Sequence, residues 1–274
     1  MRSEDKTPMH ITSLQNERIK AVRALEMRKE RKATGLFVAE GQSILVTARD
    51  AGWQPVLLLG LAEAMEGGIA KGLVAWAAGA GADVLTVSEA VLGKIAAKDN
   101  PQSLLAVFKQ RLAASPSPRD VKKEDVWLVL EEVRDPGNLG TILRTVDAVG
   151  AKGIIMVGQS CDPWSRECVR ATMGSIFAVP IVRMERAAYL DWLKRWTGDV
   201  VATHLQASDD FRAAAYRGPV LLMMGSEGPG LSDELAAVAT RRVKIPMAGR
   251  LDSLNLAVAT ALVLYQLRGP HLKL

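Results

Sequence analysis

Apolar residues along this chain fall into two alternating patterns. Short apolar runs predict buried strands: Leu36 to Glu40, Val56 to Leu59, Val84 to Val87, Leu104 to Phe108, Trp127 to Leu130, Gly153 to Val157, Val200 to Ala202, Val220 to Met224 and Arg242 to Ile245. Between them apolar positions return at helical spacing. They do so from Leu14 to Arg31 (Ile19, Val22, Leu25), through Ile44, Leu45 and Ala48, from Leu139 to Val149, from Tyr189 to Trp196 and from Ser253 to Arg268. Strand and helix in alternation predict an α/β fold. One stretch breaks the rhythm. Ala113 to Glu124 is rich in Pro, Ser and charge and offers almost nothing to bury, which predicts a linker over 113–124 between domains 1–112 and 125–274.

The last predicted helix differs from the others. Leu256, Val258, Leu262, Val263, Leu264, Tyr265 and Leu267 cover most of its circumference. A helix apolar all round is buried all round, either by its own domain alone or by that domain and a second copy of the chain.

Composition narrows the class. Hydrophobic residues make up 49% and charged residues 24% of the 274 positions, enough apolar material for real cores without staples. No apolar run reaches the roughly 18 to 20 residues of a membrane span. The polar opening, Met1 to Arg31, lacks the apolar core of a secretory signal, so a cytoplasmic location is expected. Cys161 and Cys168 have no histidine near them, too few ligands for zinc, and are expected to be reduced thiols with no metal. The net charge is +5. Its distribution says more: Arg18, Lys20, Arg23, Arg28, Lys29, Arg31 and Lys32 face only Glu26 and Glu30. That stretch is either a solvated helix face or a patch for phosphates.

Three segments, each after a predicted strand, hold the candidate chemistry. Asp135 to Thr145 opens a helix, with Asn138 as its expected N-cap and Arg144 in the second turn. Met224 to Ser232 carries three glycines and a proline, which let backbone approach a ligand closely. It lacks the Walker and dinucleotide patterns, and a plain turn before a helix capped by Ser232 has the same spacing. Ile245 to Leu256 is a loop in which Asp252 or Ser253 would cap the final helix. Asn255 there needs a partner, because burying an unpaired amide costs about 1–3 kcal/mol, so its role is structural or catalytic.

In this order, Asn138-Leu139-Gly140-Thr141-Ile142-Leu143-Arg144-Thr145, Gly225-Ser226-Glu227-Gly228-Pro229-Gly230-Leu231-Ser232, and Ile245-Pro246-Met247-Ala248-Gly249 with Ser253-Leu254-Asn255 resemble the three motifs of the SpoU (TrmH-like) RNA ribose 2′-O-methyltransferases of the SPOUT superfamily. Ser226 stands where many members carry Asn. Upstream, Ser13 to Asn16, Gly35 to Gly41 and Asn100 to Val107 resemble the N-terminal substrate-binding domain found in that family, with Ser103 where Gly is common.

The resemblance implies a C-terminal knotted (trefoil) α/β methyltransferase domain with a smaller N-terminal α/β domain that binds RNA. The knot would be a rare exception to unthreaded chains. It also implies S-adenosyl-L-methionine as cofactor, held by Gly225, Ser226, Ile245, Met247, Gly249 and Leu254. A ribose 2′-oxygen would attack the sulfonium methyl in line, with Arg144, Asn138, Glu227, Ser253 and Asn255 as the catalytic set. Arg144 would be the general base or, because a guanidinium stays protonated, a clamp on phosphate and the developing oxyanion. Ribosomal RNA is the first expected partner and transfer RNA the second, with no membrane partner and a homodimer through the C-terminal domain. Two other readings are an inactive RNA-binding or ribosome-assembly factor and an enzyme that methylates a base nitrogen. The first expects loss of Arg144, Asn255 or the motif glycines, and all are present. The second expects different motif residues.

Overall fold

The computed structural model describes residues 9–96, 102–207 and 209–273. The first eight residues of the opening, and Asn100 and Pro101 of the Asn100 to Val107 motif, lie outside the described residues. The chain divides into two compact units. One takes the residues up to Gln110 together with Trp164–Ala178; the other takes Arg111–Pro163 and the residues from Val179 onward.

The first unit contains β1 (Met9–Ile11), α1 (Glu17–Ala24), α2 (Arg28–Thr34), β2 (Leu36–Glu40), α3 (Gln42–Asp50), β3 (Pro55–Gly60), α4 (Ala62–Met65), α5 (Gly68–Gly79), β4 (Asp83–Val87), α6 (Glu89–Ala96) and β5 (Leu104–Lys109). Its sheet runs β1-β4-β3-β5-β2, with β5 antiparallel to both neighbours and the other pairings parallel. The single helix expected from Leu14 to Arg31 is two. The Arg31 guanidinium folds back to donate to the carbonyls of Leu25 (2.8 Å) and Glu26 (2.7 Å), satisfying groups left open where α1 ends.

The remaining elements are β6 (Val126–Glu131), α7 (Pro136–Ala148), β7 (Ile154–Val157), α8 (Arg166–Ala171), β8 (Ile181–Met184), α9 (Arg186–Leu193), β9 (Asp199–Thr203), β10 (Asp209–Asp210), β11 (Val220–Met224), α10 (Asp233–Ala237), β12 (Arg241–Lys244) and α11 (Leu256–Arg268). All but α8 belong to the second unit. Its seven strands, ordered β10-β12-β9-β11-β6-β7-β8, are all parallel. Such a sheet is covered on both faces, which is why β6 and β11 read as unbroken apolar runs and are buried throughout. Residues 113–124 are tied to this unit. Ala113 N–H donates to the Ile181 carbonyl at 2.8 Å, and Trp192 Nε1 donates to that of Pro116 at 3.0 Å.

The segment Trp164–Ala178 completes the first unit. Phe37 meets Trp164 with ring centroids 4.6 Å apart, and Phe177 lies 5.1 Å from Trp53 and 4.9 Å from Phe108. Beside these rings the buried Glu40 carboxylate accepts from Arg166 at 2.9 Å and from Arg170 at 2.8 Å. The final helix is covered by its own chain on one side only. Leu256, Ala257, Thr260, Val263 and Leu264 are buried, but Val258, Leu262 and Tyr265 are 49%, 43% and 50% exposed. These three are spaced to form one stripe along α11.

Candidate active site

Sheet order brings together loops that are far apart in sequence. β12, β9, β11 and β6 are neighbours, and ligands of open parallel sheets bind beyond the carboxyl ends of their strands. The three motif segments leave β6, β11 and β12 at those ends. The loop after β9 joins them.

Two caps differ from expectation. The N-cap of α7 is Asp135, not Asn138: its carboxylate accepts from Asn138 N–H at 2.6 Å, and Pro136 occupies the first turn, where a missing N–H costs nothing. The Asn138 side chain is thereby left for other work. The N-cap of α11 is Asn255, not Asp252 or Ser253: its Oδ1 accepts from the N–H groups of Ala257 (2.9 Å) and Val258 (3.3 Å). This satisfies the Asn255 carbonyl. Its amide nitrogen donates to Asn138 Oδ1 at 2.9 Å, and Asn138 Nδ2 donates to Glu227 Oε1 at 3.0 Å.

One residue from each motif thus forms a directed chain. The ionised Glu227 only accepts, and the amides at the start of α11 only donate, so both asparagine side chains are fixed in one orientation. Glu227 also accepts from the N–H groups of Arg134 (3.0 Å) and Asp135 (3.4 Å). Burial pushes the Glu227 carboxyl up, but hydrogen bonds from Asn138 and these amides outweigh it and hold the group below its ordinary value. A depressed carboxylate contributes stability above its unfolded value and loses it as pH falls through the folded one. The melting-temperature difference between wild type and Glu227→Gln is therefore expected to be constant above about pH 6. It should shrink only on acidification below the usual carboxylate range, as thermal melts across pH would show.

The second motif folds back on itself. Ser226 and Gly230 exchange backbone hydrogen bonds at 3.1 and 3.0 Å. A Cβ at Gly225 would sit 1.9 Å from the backbone of Gly230 and Leu231, so no side chain fits there. Gly228 and Gly230 take φ of +91° and +75°, conformations that favour glycine. The loop ends at Ser232, which caps α10; its N–H and hydroxyl both donate to the buried Glu131 carboxylate at 2.7 Å. Arg186 approaches the same carboxylate to 2.9 Å.

These loops enclose a cavity of about 650 Å³. Of the residues expected at the site, Gly225, Ser226, Glu227, Ile245, Met247, Ser253, Leu254 and Asn255 line it. Asn138 is joined to it through Glu227 and Asn255. Gly249 and Arg144 are outside the lining, and Arg144 lies exposed on α7. Thr203 to Gln206, at the end of β9 and just beyond it, also line the cavity and were missed in the sequence; only the position of β9 between β12 and β11 places them there.

The lining suits S-adenosylmethionine. Met224, Leu231, Val243, Ile245 and Leu256 offer an apolar wall for a neutral aromatic ring, while Glu227, Asp252, Ser253 and Asn255 are polar. The volume is within the range of pockets that enclose small ligands. Neither Cys161 nor Cys168 forms a disulfide. Burial, with Glu227 next, pushes the Cys161 thiol up to about 12. No group of three or more potential ligands among the described residues could hold a metal ion, and no described helix is long and apolar enough to cross a membrane.

Comparison with known proteins agrees with this geometry. Residues 125–265 match the model of the SpoU rRNA Methylase family, and residues 16–106 match the MRM3-like substrate binding domain. An AdoMet-bound rRNA methyltransferase from Sinorhizobium meliloti superposes with a TM-score of 0.88 at 43% identity, over 96% of this chain and 98% of that one. An uncharacterized tRNA/rRNA methyltransferase of Synechocystis is 32% identical over 94% of this chain and 93% of its own length. The 23S rRNA (guanosine(2553)-2′-O)-methyltransferase RlmP of Bacillus subtilis is 29% identical over 94% and 99%. With motifs, fold and relatives in agreement along nearly the whole chain, the protein belongs to the SpoU rRNA methylase family.

Proposed function

We propose that this protein transfers the methyl group of S-adenosylmethionine to a ribose 2′-hydroxyl of ribosomal RNA. The observation that carries the reading is the Glu227–Asn138–Asn255 chain, which joins all three motifs at one cavity. The names of the Bacillus and Sinorhizobium relatives support ribosomal RNA as substrate. The cofactor supplies an electrophilic methyl on a sulfonium, so the protein's task is orientation and control of a proton. Gly225, Ser226, Ile245, Met247 and Leu254 would hold the cofactor, with Gly249 at the edge of the same loop. Glu227, Asn138, Ser253 and Asn255 would position the ribose. Arg144 would hold the neighbouring phosphate and stabilise the oxyanion as it develops, since a guanidinium does not give up its proton. The family's trefoil crossing and a cytoplasmic site of action belong to the same reading. Ribose-methylation maps of ribosomal RNA from cells with and without the gene test it: one 2′-O-methyl site should vanish, and an unchanged map would overturn a housekeeping role.

The working form in this reading is a homodimer. Arg144 stands outside the cavity of its own chain, on the helix that packs against α11. The stripe Val258, Leu262 and Tyr265 on α11 is apolar and exposed. In this reading a second copy covers that stripe and the cavity is completed by an Arg144 of the dimer. Leu262→Glu is expected to give a monomer by sedimentation that no longer methylates RNA; an active monomer would remove the dimer from the account.

A further inference from the structure

Six of the seven cations of α1 and α2 fall into two classes. Arg18 pairs with Asp83 at 3.1 Å and Lys20 with Glu17 at 2.8 Å, while Arg31 is buried against the carbonyls that end α1. Arg23, Lys29 and Lys32 are exposed and have no ion-pair partner among the described residues. Of the nearby anions, Glu26 pairs with Arg166 at 2.9 Å. Glu30 lies in the first turn of α2 and is half-buried. Lys29 and Lys32 are three residues apart and share a face of α2. Met27, at the corner between the helices, is 61% exposed. The corner is held firmly: Arg31 ties the end of α1, and Gln110 Nε2 donates to the carbonyls of Arg31 (3.0 Å) and Leu36 (3.1 Å).

We infer that this corner is the surface by which the first unit grips RNA, with Arg23, Lys29 and Lys32 on phosphates and Met27 against an unstacked base. The inference rests on the proposed function and adds the residues. Unpaired cations on a fixed corner need break no ion pair to meet phosphates, and their contact releases condensed counterions. An exposed apolar side chain among them suits the face of a base splayed from a loop. The paired Arg18 and Lys20 and the buried Arg31 hold the fold.

The test uses the full chain and deproteinised large-subunit ribosomal RNA, with binding measured at several salt concentrations. Lys29→Ala/Lys32→Ala is expected to weaken binding about tenfold and to flatten the slope of log K against log salt by about 1.5. Its affinity for S-adenosylmethionine and its melting temperature should be those of wild type. The charge-matched control Lys71→Ala/Lys109→Ala should bind RNA nearly as wild type does. Equal affinity and slope in the Lys29/Lys32 variant would overturn the assignment of this corner while the methyltransferase reading stands. Absence of RNA binding by wild type would overturn both.

Discussion

Replacing Arg144 by alanine is expected to lower methyl transfer by about 10²–10³-fold or more, the scale of losing a group that stabilises developing charge. S-adenosylmethionine should bind this variant nearly as it binds wild type, because Arg144 is exposed on α7 and is not part of the cavity wall. Calorimetry for the cofactor and single-turnover methylation for the chemistry separate the two effects. Arg144→Lys should recover only a fraction of the rate, since lysine keeps the charge but not the planar fork that can hold a phosphate through two bonds. Full turnover in Arg144→Ala would remove this residue from the catalytic set.

The second large effect is expected at Asn138. Asn138→Asp replaces the donor facing Glu227 by a second carboxylate, at a position where the present contact is 3.0 Å. Two carboxylates so close cannot both be ionised comfortably, so the chain to Asn255 must open or one acid must take a proton. We expect activity to fall about 100-fold near neutral pH and to recover in part on mild acidification, as the pair comes to share a proton. Asn138→Asp/Glu227→Gln reverses the polarity of the contact, with the new amide donating to the new carboxylate. It should regain at least about tenfold over the single variant if the loss comes from repulsion. An unchanged rate in Asn138→Asp across pH would mean that the hydrogen-bond chain has no part in catalysis.

Much of this site was legible because its residues lie in three compact segments that follow apolar strands. The strands themselves were legible because a parallel sheet buried on both faces leaves unbroken apolar runs. What escaped depended on partners distant in sequence. The helix Arg166–Ala171 carries little apolar pattern, and Arg166 is buried because Glu40, 126 positions away, pairs with it. The carbonyls at the break after α1 are capped by the side chain of Arg31, which pattern reading takes for a solvated cation. Asn138 looked like a cap because it is a short polar residue at a helix start, yet Asp135 before Pro136 serves that role and leaves Asn138 for the site. The Thr203 to Gln206 wall has no motif of its own. The last helix was legible as apolar on most of its circumference, and its own chain covers only part of it.

The most direct test of the central claim is where the methyl group ends up. Purified protein, large-subunit ribosomal RNA and S-adenosylmethionine labelled in the methyl group are incubated together, and the RNA is then hydrolysed with alkali. A methylated 2′-oxygen cannot attack its neighbouring phosphate, so the account predicts label in alkali-stable dinucleotides. Label released in mononucleotides would place the methyl on a base, and no transfer at all would contradict the account outright.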